Sequence, residues 1–360
     1  MLGIYIHIPF CEKKCSYCNF YSIALTDEIK EKYIDALTKE IRFYKKENKT
    51  INSLYFGGGT PSVLDLKDIE KIMLALKDSF KFSENIEITI EINPNTATLN
   101  KLKNYKNLGI NRISFGVQSF NDKELEKLER THNKTLAINA IENALNCNFN
   151  NISIDLMLGI PLQTKESFFK TLTIATKFNI THISLYQLKI EPNTKFFKFP
   201  PKDLMTPDSV ANLYLLACYF LESKGFSQYE ISNFAKKNKE SIHNLKYWTL
   251  KDYLGFGPSA HSFYNNERFY HENSLTNYIK NPLTTTKEKK NLDFEWLILN
   301  LRLKKGVNIK DLKNKNFYTK DFEEKILKLK NEKLAEIKNN RLILTPKGML
   351  LQNSIILFIT

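Results

Sequence analysis

No stretch of this sequence approaches the ~20 consecutive apolar residues that a membrane-spanning helix needs. No charged leader with an apolar core precedes the first strand-like segment either, so the expected location is cytoplasmic. A disulfide framework is disfavoured: the 360 residues include five cysteines, three of them crowded into eight positions, and such a compartment keeps thiols reduced. Cys147 and Cys218 are then expected as free, buried thiols. Neither has a Cys or His at pair spacing, so a closed four-ligand zinc site lacks its second half. The single glycine run lacks the lysine of a phosphate-binding P-loop, which disfavours nucleoside triphosphates. Interleaved aromatic and basic residues of a nucleic-acid surface are also missing. Acidic residues are scarce, with 39 Asp and Glu against 53 Lys and Arg, a formal charge of +14. Residues 280–360 hold 18 Lys and Arg against 9 Asp and Glu, so nine of those charges sit in the tail. The excess is lysine dispersed among Asn, Ile and Phe, which reads as compositional bias and a solvated basic face, with docking on an acidic partner as the alternative.

The length and a hydrophobic content of 42% allow one large core and a small second domain. Strand patterns at Ile4–Phe10, Ser53–Phe56, Glu87–Ile92, Arg112–Gln118, Asn151–Leu158 and His182–Leu188 alternate with helical periods near Asp27–Lys46, Asp65–Phe80, Thr98–Leu108, Lys134–Asn146 and Lys165–Phe178. That order predicts an α/β fold with a parallel sheet and right-handed crossovers. The strands are two-sided. Ile4, Ile6 and Ile8 oppose Tyr5 and His7, and Ile88, Ile90 and Ile92 oppose Glu87, Thr89 and Glu91. Ile113, Phe115 and Val117 oppose Ser114, Gly116 and Gln118, and Ile152, Ile154 and Leu156 oppose Ser153 and Asp155. The apolar faces are expected under helices, and the polar faces along a cavity with Glu91, Gln118 and Asp155 toward the ligand-binding strand ends.

The first strand runs into Cys11-Glu12-Lys13-Lys14-Cys15-Ser16-Tyr17-Cys18-Asn19-Phe20. Cys11, Cys15 and Cys18 offer three soft thiolates to one centre without a nearby fourth ligand, which suits an iron–sulfur cluster with one open iron. Gly57-Gly58-Gly59-Thr60-Pro61-Ser62 follows the second strand. Its backbone can approach a ligand closely and is expected to leave N–H groups free as donors, although a tight strand-to-helix turn has the same composition.

Cys-x3-Cys-x2-Cys with an aromatic residue before the third cysteine resembles the signature of the radical S-adenosylmethionine (SAM) superfamily. The resemblance implies a [4Fe–4S] cluster on Cys11, Cys15 and Cys18, with SAM on the fourth iron and radical chemistry delegated to the cofactor. It also implies a partial (β/α)6 TIM-like barrel with a small C-terminal winged-helix-like domain. Tyr5, Tyr17, Gly58, Gly59, Thr60, Glu91, Gln118, Arg130 and Asp155 are the SAM-pocket residues it suggests, although isolated Arg130 also reads as a surface helix charge.

Within the superfamily, nearly the whole chain resembles the family of oxygen-independent coproporphyrinogen III oxidase and its heme-chaperone relatives. The oxidase's signature continues to a further cysteine where this chain has Phe20, the ending typical of the chaperone branch. His243-Asn244-x-x-Tyr247-Trp248 matches that branch's His-Asn-x-x-Tyr-Trp motif, linked to heme binding. Imidazole is a common axial ligand and Tyr247 and Trp248 offer broad faces, with His261 and His271 as competing ligands. Two functions therefore stand: heme binding and transfer, or decarboxylation of coproporphyrinogen III by an enzyme, which the missing cysteine weakens. The implied cofactors are the cluster, SAM and heme. The implied partners are heme and an acceptor protein of unidentified kind, a membrane-associated one included, with no nucleic acid. The expected division is 1–230 as the radical SAM core, 231–285 as a connecting region with the His-Asn motif, and 286–360 as the C-terminal domain.

Overall fold

The structure, a computed structural model, describes every residue from Met1 to Thr360. At its centre lie β1 (Leu2–Ile8), β2 (Thr50–Gly58), β3 (Lys81–Ile92), β4 (Arg112–Gln118), β5 (Ile152–Leu158) and β6 (His182–Gln187), side by side and all parallel. Five helices make the crossovers: α1 (Asp27–Phe43), α2 (Leu66–Ser79), α3 (Leu99–Asn107), α4 (Lys134–Asn146) and α5 (Lys165–Lys177), and α6 (Pro207–Ser223) follows β6. Each starts where the sequence supplies a polar cap. At the start of α5, for instance, the Ser167 amide donates to Thr164 Oγ1 at 3.1 Å and the Thr164 amide to Ser167 Oγ at 2.9 Å, satisfying two otherwise unpaired donors.

The two-sided strands fold as their alternation requires. Ile4, Ile6, Ile8, Ile88, Ile90, Ile92, Ile113, Ile152 and Ile154 all join one core of 60 buried residues with the helices. Burying each such side chain stabilises the fold by about 1.5–3 kcal/mol. The opposite face carries Tyr5, Tyr55, Glu91, Gly116, Asp155 and Tyr186 around a polar lumen.

The sheet does not end with these strands. It has twelve, in the order β12-β11-β10-β9-β1-β2-β3-β4-β5-β6-β8-β7, where β7 is Ser227–Gln228, β8 Asn233–Ala235, β9 Tyr253–Phe256, β10 His261–Tyr264, β11 Glu267–Tyr270 and β12 Thr286–Glu288. β9 runs parallel to β1, and β8 runs antiparallel to β6. Residues 231–285, expected as a connecting region, thus extend both edges of the sheet. These strands are three or four residues long, and β9 is buried at every position, so no period of two is there to be read.

Glu40 of α1 holds the β1-side extension in place. Its buried carboxylate accepts from His271 Nε2 at 2.6 Å, Tyr278 OH at 2.5 Å and the Gly257 amide at 3.2 Å. Gly257 has a φ of +102°, and a Cβ there would meet the His7 carbonyl at 2.6 Å, so the Gly255-Phe256-Gly257 approach is made to β1 itself.

A separate 16-residue core belongs to the C-terminal module. There α8 (Leu292–Leu301) precedes a small sheet of β13 (Val307–Asn308), β15 (Arg341–Leu344) and β14 (Ala335–Lys338), in that spatial order, with two helices between β13 and β14. No helix is long and apolar enough to cross a membrane. Glu40→Ala leaves three buried donors unpaired and is expected to lower unfolding free energy by about 3–5 kcal/mol, read from urea midpoints. A loss below about 1 kcal/mol would show that the network does not hold the extension.

Candidate functional site

The cysteine loop lies at the C-terminal mouth of the strands. A two-stranded parallel ribbon, Phe10–Cys11 against Ile23–Ala24, closes its base. The Ser16 amide donates to the Leu128 carbonyl at 3.4 Å, and the Ser16 carbonyl accepts from the Phe196 amide at 2.9 Å. Cys11, Cys15 and Cys18 are half-buried free thiols, while Cys147 and Cys218 are buried. Cys11 Sγ lies 3.4 Å from Thr60 Oγ1, and Cys15 Sγ lies 3.4 Å from Arg130 Nη1. Burial raises the Cys18 thiol, and the neighbouring Cys15 and Cys11 sulfurs push it the same way. No three Cys, His, Asp or Glu side chains are gathered at ligating distance here. Three soft donors on one anchored loop, two of them beside polar groups of the lumen wall, fit a cluster whose fourth iron is left for another ligand.

The glycine loop acts differently from the expectation that its amides are free. Gly59 N–H donates to the Ile8 carbonyl and Thr60 N–H to the Phe10 carbonyl, both at 2.8 Å. The loop therefore braces the cysteine segment, and its glycines clear space. A Cβ on Gly57 would meet Tyr5 and Tyr55 ring carbons at 3.0 Å and Glu91 Cδ at 3.3 Å. One on Gly59 would meet the Phe10 carbonyl oxygen at 2.6 Å and Cys11 Sγ at 3.1 Å.

Glu91 is the chemical centre of the lumen. Tyr55 OH donates to its Oε1 at 2.8 Å. Desolvation, then the charge of Asp155, raise its pKa from 4.5 to about 7, against the opposing hydrogen bonds of Tyr55 and the Gly58 amide. Asp155 is itself raised by burial, and Ser114 Oγ donates to it at 3.3 Å. Two carboxyls whose ionised forms are disfavoured by burial regain stability from a cationic ligand group placed between them. Arg130 is not a surface charge: its Nη2 donates to Asn93 Oδ1 at 2.7 Å and to the Gly116 carbonyl at 2.6 Å, while Nη1 reaches Cys15. Gln118 sits at a break in the β4–β5 register with a φ of +68°, which turns the chain at the lumen rim. Tyr17 is half-buried on the cysteine loop, and its hydroxyl pKa is raised by burial.

The structure thus brings Tyr5, Tyr17, Gly58, Gly59, Thr60, Glu91, Gln118, Arg130 and Asp155 to one lumen and its mouth. Sequence reading missed Tyr55 and Asn93. Tyr55 was legible in principle, two residues before Gly57 and therefore on the same strand face.

His243, Tyr247 and Trp248 lie elsewhere. They occupy α7 (Ile242–Trp248) beneath the N-terminal half of the strands. His243 is fully buried, its Nδ1 paired with Ser53 Oγ at 3.0 Å and its Nε2 with Tyr247 OH at 2.8 Å. Its backbone amide donates to Glu87 Oε1 at 3.1 Å, and burial lowers its pKa to about 3. The imidazole stacks 5.3 Å from Tyr55 and 6.3 Å from Tyr5, so it floors the lumen with neither nitrogen open. Tyr247 packs edge-on against Tyr253 at 4.6 Å, and Trp248 carries the Arg302 guanidinium at 4.3 Å. The two aromatic faces are taken by the protein.

Glu91 generates a pH signature. A carboxyl whose folded pKa lies above its unfolded value adds stability below pH 4.5 that is lost as pH rises through about 7. The loss is on the order of 3 kcal/mol at about 1.4 kcal/mol per pH unit. Glu91→Gln, which keeps an acceptor for Tyr55, should remove that slope, so its stability advantage over the wild type should grow between pH 5 and pH 8 in urea titrations. Parallel slopes in the two proteins would place the titration elsewhere.

Residues 5–175 match the family model described as the radical SAM superfamily. The chain is 40% identical over 322 residues to the heme chaperone HemW of Buchnera aphidicola subsp. Schizaphis graminum, covering 89% of this chain and 79% of the relative. It is 34% identical over 375 residues to that of Bacillus subtilis, covering 99% and 98%. Among solved structures, the radical SAM coproporphyrinogen III oxidase HemN of Escherichia coli superposes with a TM-score of 0.86 at 25% identity, covering 99% of this chain and 89% of the other. The cysteine loop, the parallel barrel-like sheet and these near full-length likenesses together show that the chain belongs to the HemW family of radical SAM proteins.

Proposed function

We propose that this chain is a heme chaperone, binding heme and passing it to an acceptor protein from a scaffold that holds a [4Fe–4S] cluster and SAM. The observation that carries the reading is the likeness to the B. subtilis heme chaperone, which spans 99% of this chain. Phe20 supports it. At the position where the oxidase signature has its further cysteine, this chain presents a phenylalanine 62% exposed beside the cysteine loop.

In this reading Cys11, Cys15 and Cys18 hold the cluster, which when bound supplies an electron to SAM. Glu91 takes the SAM amino group, with Tyr55 and the Gly58 amide fixing the carboxylate. Arg130 holds the loop through Cys15 and the β4 edge through the Gly116 carbonyl, while Tyr5, Tyr17, Gly59, Thr60, Gln118 and Asp155 complete the wall. Within residues 286–360, the part that follows β12 has one helix before β13, two between β13 and the β14–β15 hairpin, and two short helices after it, which supports a winged-helix-like module that offers the basic surface to an acceptor.

Changing Cys11, Cys15 or Cys18 to Ala should abolish the cluster's absorption and paramagnetic signal after anaerobic reconstitution. Glu91→Gln should weaken SAM binding to cluster-loaded protein at least tenfold, about 1.4 kcal/mol, by calorimetry. The same preparation should retain hemin and restore a heme-depleted acceptor, without converting coproporphyrinogen III. SAM-dependent conversion over many turnovers would put the oxidase reading first.

A further inference from the structure

Heme iron needs an axial base, and this chain has six histidines. Five are buried with ring nitrogens engaged. His7 pairs with Tyr5 OH and the Tyr21 carbonyl, His182 with Ser153 and Tyr229, and His271 with the Thr284 carbonyl and Glu40. His243 is closed on both sides as described. His132 donates through Nε2 to the Val117 carbonyl, and its Nδ1 has no partner but is enclosed. His261 differs: it is exposed, and no hydrogen bond engages its ring.

The sheet register fixes which way His261 faces. Tyr5 of β1 pairs with Gly255 of β9, Tyr253 of β9 with Phe263 of β10, and His261 of β10 with Tyr270 of β11. Alternation along β10 then puts His261, Phe263, Tyr270 and Arg268 on the lumen-side face of the sheet's extension. The His261 and Tyr270 rings stack 5.1 Å apart at 22°, so an aromatic plane backs the imidazole and limits its rotation. Exposed Lys290 follows β12, and its Nζ lies 3.4 Å from Glu288, whose own strand position faces Arg268. Propionates are anionic, and Lys290 and Arg268, whose charges act on the His261 ring, supply cations to meet them.

We propose that His261 is the axial ligand through which this protein takes up heme, at the end of β10 and β11 where His261 is exposed and Tyr270 half-exposed, beyond the Phe263–Arg268–Glu295 contact that covers the rest of that face, and that His243 is a structural residue of the lumen floor. The proposal rests on the heme-chaperone reading. Its chemistry is ligand addition to heme iron by a neutral imidazole nitrogen, with no electron transferred.

The test uses the full chain titrated with hemin, comparing wild type, His261→Ala, His261→Gly and His243→Ala by Soret spectrum, paramagnetic resonance and retention through gel filtration. His261→Ala is expected to shift the Soret band and weaken hemin retention at least tenfold without changing the urea midpoint. Free imidazole should restore the band in His261→Gly, a response that a packing role would not produce. His243→Ala should keep the wild-type heme spectrum and lose stability. A wild-type spectrum in His261→Ala, or failure of imidazole to act on His261→Gly, overturns the assignment while hemin retention by the wild type leaves the chaperone reading standing. A wild type that retains no hemin removes both.

Discussion

A parallel sheet with helices on one face alone must settle its other face with water, with a ligand or with itself, and this chain settles it with itself near the strand starts and leaves it under-paired near the strand ends. Near the strand starts the lumen is filled by its own polar groups. Arg112 is 1% exposed with Glu87 3.9 Å away, Glu87 receives the His243 amide, and His182 joins Ser153 to Tyr229. Buried polar groups without partners cost about 1–3 kcal/mol each, so this network is what allows a polar strand face to be dry. Nearer the strand ends the partners thin out, and Glu91 and Asp155 are left with raised pKa values. The same sheet face therefore changes from a self-paired floor to an under-paired polar lumen along its length.

Glycine decides where that change occurs. Gly57 is the point at which Tyr5, Tyr55 and Glu91 converge, and a methyl group there would lie 3.0 Å from both tyrosine rings. Gly59 does the same for the cysteine loop, which rests on Thr60 and the lumen rim. The run makes contact between the two motifs sterically possible, and its amide groups at Gly59 and Thr60 are spent on the Ile8 and Phe10 carbonyls. A ligand at this end must find its donors and acceptors among side chains, which is why Glu91, Arg130 and the thiols matter more than the loop backbone.

The central fold was legible because its signals are local. Isoleucine at every second residue separates the two faces of β1 and β3, and Thr164 or Asp65 marks where a crossover helix begins. β3 starts at Lys81 rather than Glu87, and its first residues were not legible because they are exposed or half-buried and carry no apolar alternation. The extension strands were not legible, since three or four residues set no period and their partners lie far away in the chain. The site divides the same way. Strand parity placed Glu91 and Asp155 in the lumen from sequence alone, whereas Arg130 reaches the site from a turn after β4, a placement that only tertiary folding reveals.

The His-Asn-x-x-Tyr-Trp motif is where spacing and geometry give the most specific account. His243 and Tyr247 are four residues apart, one turn of α7, so they share a face and their side chains meet; the Ser241 hydroxyl accepts from the Asn244 amide and starts that turn. A histidine is suited to this floor because its neutral ring meets Ser53 through one nitrogen and Tyr247 through the other, whereas an apolar replacement would leave two buried hydroxyls unpaired. Trp248 then turns outward to Arg302, whose Nε donates to the fully buried Glu230 at 2.6 Å. One short helix thereby ties the lumen floor to the start of the C-terminal module. Its helical spacing follows from the need to fill a polar floor and reach a second domain within two turns, a structural demand sufficient to fix those residues without assigning them an iron.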